Sequence, residues 1–224
     1  MSFPTVITEP AIEPLTLAEV KLHCRVDYTD DDAMLQAFIT AARRRAENYL
    51  GRKLISQQVQ WSFSNDLFWL QPYNDAYNTR MQIDSFFTRN AMYPMPGRWM
   101  IVHYPNVQSI DSFQYYDTGE NLQTVDPNVF RIVNLNDPSN VCFLELILGG
   151  VWPVPSIRAN PWIMKYTVGF GSDPASIPSD LKIGMLMEIA TWYENRENLA
   201  PINLLPVKSG TQAIYAHWRW EWSV

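Results

Sequence analysis

The chain has 224 residues, of which 47% are hydrophobic and 13% aromatic, and its formal net charge is −6. This length and composition allow one ordinary domain, or a domain carrying one insertion, and they exclude an intrinsically disordered chain. The excess of acidic over basic residues argues against a protein that grips nucleic-acid phosphates tightly.

The cysteines and the apolar runs narrow the class of protein further. Cys24 and Cys142 lie far apart and lack the spacing of metal ligands, so we predict two reduced thiols rather than a disulfide or a zinc site. Residues 1–10 lack the basic start and long apolar stretch of a signal peptide, and the apolar runs are too short to span a membrane. We therefore expect a chain with no membrane partner.

Residues 1–53 predict two helices. Thr16 and Glu19 match a capping box that opens a short helix ending near Asp27. A second helix is predicted from the acidic residues 30–32 to Gly51, with Arg43, Arg44 and Arg45 towards its C-terminal end, where the helix dipole favours cations. Its apolar stripe leaves Gln36, Arg43 and Glu47 on other faces. The stripe consists of Leu35, Phe38, Ile39, Ala42, Ala46, Tyr49 and Leu50.

Residues 54–178 predict an inserted β region, because the hydrophobic period changes from 3.6 to 2. Val59, Trp61 and Phe63 alternate with polar residues, as in a strand with one buried face. Turns are predicted at residues 117–119 and 126–128, and long loops at 64–98 and 149–161. Together the strands suffice for a small sandwich or barrel. The further strands are predicted at residues 99–104, 109–116, 129–133, 141–148 and 162–168.

Residues 179–224 predict a third helix and an aromatic tail. Ser179 is the predicted cap, and the helix is apolar nearly all round, as expected of a helix covered on several sides, in part by another subunit. Residues 210–217 predict a last helical turn or two before an extended tail in which Trp218, Trp220 and Trp222 alternate with polar residues. The predicted fold class is therefore α+β: a small helical bundle with an inserted antiparallel β region and a C-terminal tail.

The sequence offers no convincing catalytic, cofactor-binding or metal-binding set. His23 and Cys24 are adjacent, and adjacent helical side chains point about 100° apart, which does not suit a nucleophile and its base. His103 and His217 lack a second ligand at metal spacing. The glycine-rich phosphate loops and the nucleophile elbow are absent from the sequence. We expect a protein that is not an enzyme and that needs no cofactor.

Several short segments are informative through their order along the chain. The N-terminal ones are residues 14–27 (PLTLAEVKLHCRVD), the acidic residues 30–32, and residues 41–47 followed by 49–52. The later ones are residues 105–110, 115–117, 152–153, 166–171, 177–178 and 192–197. Taken together, they resemble the head-tail connector (adaptor) proteins of tailed bacteriophages over most of the chain.

This resemblance implies a structural role in the virion neck. It implies a ring, of 12 copies to match a dodecameric portal protein, that sits under the portal and extends the DNA channel. The lower face of the ring would meet the next neck protein, a stopper or a tail-terminator protein. Double-stranded DNA would pass through the lumen without sequence-specific binding, and the chain would be made in the cytoplasm of the host bacterium.

Two groups of residues are candidates for contact with the portal or a neighbouring subunit. Arg43, Arg44 and Arg45 can pair with carboxylates, although a solvated helix end explains them equally well. Trp218, Trp220 and Trp222 resemble the aromatic anchors of interfaces, because a chain end rarely buries three large rings by itself.

An alternative reading is a carbohydrate- or receptor-binding β-sandwich module of a phage particle. In that case Trp61, Trp69, Trp99 and Trp152 would be exposed and would stack on sugar rings.

Overall fold

The computed structural model describes residues 3–64, 99–195 and 210–220. These residues form two compact units: a β unit from residues within 1–7 and 58–167, and a helical unit from residues within 8–57 and 168–222. The predicted loop at residues 64–98 falls almost entirely outside the described residues. The α+β fold class expected from the sequence is confirmed.

The described residues of the helical unit contain four α-helices: α1 (Leu17–Cys24), α2 (Asp32–Leu50), α3 (Ser179–Glu194) and α4 (Gly210–Ala216). The predicted capping box is present, with the Glu19 N–H donating to Thr16 Oγ1 at 3.2 Å and the Thr16 N–H donating to Glu19 Oε2 at 2.7 Å. α2 ends at Gly51, whose φ of 64° is left-handed and therefore suits glycine. Among the described helices, none has the length and apolarity needed to cross a bilayer.

The core of the helical unit follows the apolar stripe predicted for α2. Leu35, Ile39, Ala42, Ala46 and Leu50 are all fully buried, while Phe38 and Tyr49 pack at its margin. The remaining core residues come from the loops and from α1, α3 and α4. They include Leu15, Val20, Val26, Leu54, Ile55, Ile177, Leu181, Met185, Ile189 and Tyr215.

α3 differs from the sequence prediction at its start and agrees with it on its apolar surface. Ser179 is the first helical residue rather than the cap; Pro178 occupies the cap position and makes no side-chain hydrogen bond there. Proline has no backbone N–H to donate, and the first N–H groups of a helix have no partner within the helix, so a proline is tolerated at this position. Ile183 and Met187, one turn apart, face solvent on α3, where a monomer would usually place charge.

In the β region, the residues that the structure describes form eight strands in two sheets. The five-stranded sheet has the order β1 (Thr5–Thr8), β2 (Gln57–Phe63), β8 (Trp162–Val168), β4 (Val107–Tyr116) and β5 (Leu122–Thr124). The three-stranded sheet has the order β3 (Trp99–Ile101), β7 (Phe143–Leu146) and β6 (Phe130–Val133). β4 pairs antiparallel with β5, and β7 pairs antiparallel with both β3 and β6.

The alternation predicted for β2 is confirmed residue by residue, and β8 coincides with the strand predicted at residues 162–168. Val59, Trp61 and Phe63 of β2 are buried, as are the alternate residues of β8 from Trp162 to Val168. β1 and β5, the two edges of the larger sheet, were not predicted. Their residues are mostly exposed, so neither carries the one-sided hydrophobic pattern by which a strand is recognised.

Aromatic side chains connect the two sheets of the β unit. Phe113 of β4, in the larger sheet, lies 6.0 Å, between ring centroids, from Phe130 of β6 in the smaller sheet, and within its own sheet it lies 5.4 Å from Trp162 of β8. The strand predicted at residues 99–104 is shorter in the structure, Trp99–Ile101, and Tyr104 at the predicted end takes a left-handed φ of 66° that does not occur in extended strands. The predicted turn at residues 117–119 is closed by the Glu120 N–H donating to the Asp117 carbonyl at 2.9 Å.

His103 makes the stability of the β unit dependent on pH. Its ring is buried among Phe3, Trp61 and Tyr104, at centroid distances of 5.5, 5.8 and 4.7 Å. Burial lowers the pKa of His103 from its usual 6.5 to about 4, so the folded state favours the neutral imidazole. The unfolded chain therefore binds the proton first, and stability is lost as pH falls from about 6.5 to about 4.

We expect the free energy of unfolding to fall by about 3 kcal/mol across that pH range in the wild-type protein. The variant His103→Gln should flatten the dependence in urea titrations followed by tryptophan fluorescence. The matched control is His217→Gln at an exposed position, which leaves the buried imidazole in place. Equal slopes for His103→Gln and the wild type would contradict the assignment.

Candidate assembly surfaces

Arg43 lies inside the helical unit rather than on its surface. Its side chain is 3% exposed, and its Nε donates to Glu13 Oε2 at 2.8 Å while Nη2 donates to Glu9 Oε2 at 3.2 Å. A third carboxylate, Glu47 Oε2, lies 3.5 Å from Nη1. Burial alone would lower the pKa of Arg43, but the Glu13 hydrogen bond and the charges of Glu47, Glu13 and Glu9 outweigh it and raise the pKa.

Glu47 is a second buried charge, and it holds the chain where it leaves α2. Its Oε1 accepts from the Gln57 side-chain amide at 2.6 Å and from the Leu54 N–H at 3.1 Å. Its Oε2 accepts from Lys53 Nζ at 3.3 Å. Glu9, Glu13, Arg43, Glu47 and Lys53 thus form one network, here called the Arg43 network, which joins the segment before α1 to the segment after α2.

The helix-dipole explanation of these arginines is wrong. The last turn of α2 contains no basic residue, and the dipole effect fades within one turn. Sequence periodicity placed Arg43 and Glu47 off the buried stripe, but both are buried by segments outside the helix. In the sequence, the acidic residues Glu9 and Glu13 could have indicated the burial of Arg43, because they supply a buried guanidinium with ion-pair partners.

Arg44 and Arg45 point outward, unlike Arg43. Their side chains are 61% and 58% exposed, and they pair with Glu9 Oε1 at 3.4 Å and Glu188 Oε1 at 3.3 Å, respectively. Burial raises the pKa of Glu188, and the Arg45 charge offsets part of that rise. The two exposed guanidiniums remain accessible to a carboxylate on another protein.

Trp218 is anchored within the helical unit. Its indole N–H donates to Asp180 Oδ2 at 2.6 Å, and its ring lies edge-on to Phe170 at 5.8 Å. The buried guanidinium of Arg52 lies 5.9 Å from the centroids of both the Trp218 and Phe170 rings, within cation–π range.

The residues after α4 return to the C-terminal end of α2. The Trp220 N–H donates to the Leu50 carbonyl at 2.7 Å, and the Trp220 carbonyl oxygen would lie 2.5 Å from a Cβ at Gly51. Glycine at position 51 therefore allows this close approach. Trp222, the third tryptophan, lies outside the described residues.

Three of the four tryptophans named for the alternative, sugar-binding reading lie in the part of the chain that the structure describes. Trp61 is 2% exposed, and Trp152 packs on Phe113 and Phe130 at 6.0 and 5.8 Å. Trp99 lies 6.2 Å from Phe143. Trp69 lies outside the described residues. The described tryptophans of that set thus pack within the β unit, Trp61 in its core.

Cysteines and acidic residues do not form a metal site in the part of the chain that the structure describes. Groups of three or more His, Cys, Asp or Glu side chains with suitable geometry are absent from residues 3–64, 99–195 and 210–220. Cys24 and Cys142 are both free thiols, and burial raises the pKa of Cys142 to about 12.

The helical N-terminal part of the chain carries the family signal. Residues 14–85 match the phage gp6-like head-tail connector protein family. This match covers the capping box, α1, α2 and β2, so the resemblance predicted from residues 14–52 is confirmed. No curated protein sequence matches the chain at a significant level.

The fold is similar over the whole chain to chains from gene transfer agent (GTA) particles. One is from the neck of an empty GTA particle computed with C6 symmetry and one from the virion of a native GTA particle; both have a TM-score of 0.70 at 20% identity. A third is from the neck of a native GTA particle computed with C12 symmetry, with a TM-score of 0.67 at 19% identity. Each alignment covers 100% of this chain and 98% of the other.

Proposed function

We propose that this chain is a structural head-tail connector of a tailed phage or phage-like particle. Copies assemble as a ring, of 12 subunits, under the portal protein, extend the DNA channel, and meet the next neck, stopper or tail-terminator protein below. The proposal rests on the agreement of two matches. The connector family match and the full-length fold match to a GTA neck chain are found in the same polypeptide. We assign it no catalytic activity.

The charge of the chain supports passage of DNA rather than binding. Each phosphate neutralised by a lysine or arginine adds salt-sensitive affinity, which would retard a duplex moving through the ring. The net charge of −6 favours passage of the duplex, and the pairing of Arg43 inside its own chain removes one guanidinium from the surface. We therefore place neutral or acidic side chains at the lumen.

Arg44 and Arg45 are the arginines that we propose for contact with the portal or a neighbouring subunit. Arg43 is saturated by carboxylates of its own chain, whereas Arg44 and Arg45 present exposed guanidiniums, each with a single ion-pair partner. Trp222 and the exposed part of Trp220 remain candidate aromatic contacts, with Trp218 serving as the intramolecular anchor of the tail.

The decisive experiment mixes the purified chain with purified portal rings and images the product by cryo-electron microscopy. We expect a closed ring of this chain on one face of the portal. A chain that stays monomeric with its cognate portal, or that locates to another part of the particle, would refute the proposed function.

Arg44→Glu with Arg45→Glu should weaken association with the portal at least roughly tenfold, because each reversal replaces attraction by repulsion at an interface. The control Arg44→Lys with Arg45→Lys keeps both charges and should bind within a few-fold of wild type. Trp222→Ala can be compared in the same assay. If charge reversal leaves portal affinity unchanged, these arginines are only solvated surface.

A further inference from the structure

The most exposed aliphatic surface in the described chain belongs to one loop of the β unit. Residues 147–157 (ILGGVWPVPSI), here called the apolar loop, contain no charged residue. Leu148 is 94% exposed and Ile157 is fully exposed, while Val151 and Val154 are three-quarters exposed. Single exposed aliphatic residues are ordinary, but a cluster of this kind marks an interaction surface.

The start of the apolar loop is held by a hydrogen bond to Val129, the residue before β6, and by a second hydrogen bond within the loop. The Ile147 N–H donates to the Val129 carbonyl at 3.0 Å, and the Gly150 N–H returns to the Ile147 carbonyl at 2.9 Å. Gly149 takes a left-handed φ of 81°, which an aliphatic residue would resist. Leu148 is therefore presented at the tip of a tight turn.

The rest of the loop is pinned by its inward-facing residues. Trp152 packs against Phe113 and Phe130, and the buried Ser156 donates its N–H to the Tyr116 carbonyl at 2.8 Å. Arg158 ends the loop with its guanidinium 3.8 Å from the centroid of the Tyr116 ring. A loop that is fixed from inside and aliphatic outside loses little entropy when it binds a partner.

We infer that the apolar loop is a subunit-subunit contact, and that its occupant is the next copy of this chain in the ring. The inference rests on the proposed function, because a closed ring is what supplies an identical neighbour to every copy. The similar GTA structures were computed with C6 and C12 symmetry, and cyclic assemblies of this kind use a heterologous interface. Each copy must then carry two different, complementary patches.

The second patch is the exposed stripe of α3. Ile183 and Met187 lie on the solvent side one turn apart, followed by the exposed Thr191, so this stripe carries no charge before Glu194. Lys182, which borders it, is held by Glu19 at 2.8 Å. A stable interface buries about 800 Å² on each partner, which a single loop cannot supply, so the loop is one part of a larger contact.

Leu148→Glu with Ile157→Glu tests the apolar loop in the ring. We expect this variant to need at least roughly tenfold more protein than wild type to form rings on the portal, because two charges would be buried without partners. The matched control, Thr124→Glu with Ser139→Glu, adds the same charge at exposed positions of the same unit and should assemble like wild type. Circular dichroism and urea unfolding verify that both variants fold.

A photo-crosslinking residue, benzoylphenylalanine at position 148, identifies the occupant directly in portal-bound rings of otherwise wild-type chain. We expect covalent dimers of this chain, with the linked peptide containing α3. A cross-link to the portal or to the protein below, or rings that form normally from Leu148→Glu with Ile157→Glu, overturns the inference. Failure of the wild-type chain to form any ring refutes the proposed function instead.

Discussion

Replacing Arg43 with alanine is expected to lower the free energy of unfolding by about 3–5 kcal/mol, because it takes the guanidinium away from the buried Glu47 and the largely buried Glu13 and leaves only the Lys53 ammonium, 3.3 Å from Glu47 Oε2, in the Arg43 network. Glu47 is 3% exposed, like Arg43 itself, and Glu13 is largely buried, so water cannot take over the role of the guanidinium. The loss also reaches beyond α2, since Glu47 holds the Leu54 N–H and the Gln57 side chain.

The adjacent arginine supplies the control for this prediction. Arg44 has the same chemistry on the same helix, but it is exposed, so Arg44→Ala should change the free energy of unfolding by about 0–1 kcal/mol. Thermal unfolding by circular dichroism should show a midpoint lower by roughly 6–20 °C for Arg43→Ala. If the two variants unfold within about 1 kcal/mol of each other, the Arg43 network is not a stabilising feature.

Tyr215 is the second position where a large effect is expected. Its side chain is 1% exposed and packs so closely on α3 that a Cβ at Gly184 would lie 2.5 Å from its Cε1 atom. Tyr215→Ala should therefore cost about 3–5 kcal/mol, the usual range for truncating a buried aromatic ring. Loss of this ring would also release α4, which leads to Trp218 and Trp220.

Removing only the hydroxyl of Tyr215 should have a different result. Among the described residues, Tyr215 Oη is buried without a hydrogen-bond partner, and burial together with the charge of Glu188 raises the pKa of this phenol well above its ordinary value. Tyr215→Phe removes an unsatisfied polar atom, so we expect stability to be unchanged or higher by about 1 kcal/mol.

Tyr193→Phe is the matched comparison for that variant. The Tyr193 hydroxyl donates to Asp31 Oδ2 at 2.7 Å and lies 2.6 Å from the Tyr28 hydroxyl, so its removal breaks existing hydrogen bonds. We therefore expect this variant to be less stable than the wild type. Urea titrations of Tyr215→Ala, Tyr215→Phe and Tyr193→Phe measure these differences in stability. A Tyr215→Phe variant that loses more stability than Tyr193→Phe would contradict the packing described for Tyr215 in α4.

The predictions from sequence and the structure agree most closely for helices and strands whose own residue pattern defines one buried face. The helical period of α2 and the alternation in β2 and β8 are written in consecutive residues, so the apolar stripe of α2 and the buried faces of both strands could be predicted. The capping box at Thr16 and the stop at Gly51 are equally local. The capping box, α2, Gly51 and β2 lie within residues 14–85, which match the connector family.

The assembly residues were only partly predictable. The sequence singled out three arginines as equals, but the structure separates the buried Arg43 from the exposed Arg44 and Arg45. It also assigns Trp218 a partner in Asp180, which lies 38 positions away in sequence. Within the apolar loop, residues 149–157 were predicted only as part of a long loop, and Leu148 was wrongly predicted as the end of a strand, because exposure at these positions depends on which neighbours pack beneath them.

The sequence by itself determined the two kinds of unit, the course of the longer helices and strands, and the absence of a strongly basic character. These properties depend on composition and on residues three or four positions apart. Tertiary structure alone decided the edge strands β1 and β5, the burial of Arg43 and Glu47, and the docking of the tail on α2. The pairing of β1, the two buried charges and the docked tail depend on residues remote in sequence, which remove water from a side chain or complete a backbone hydrogen bond, whereas β5 pairs across a tight turn with β4 but is exposed throughout.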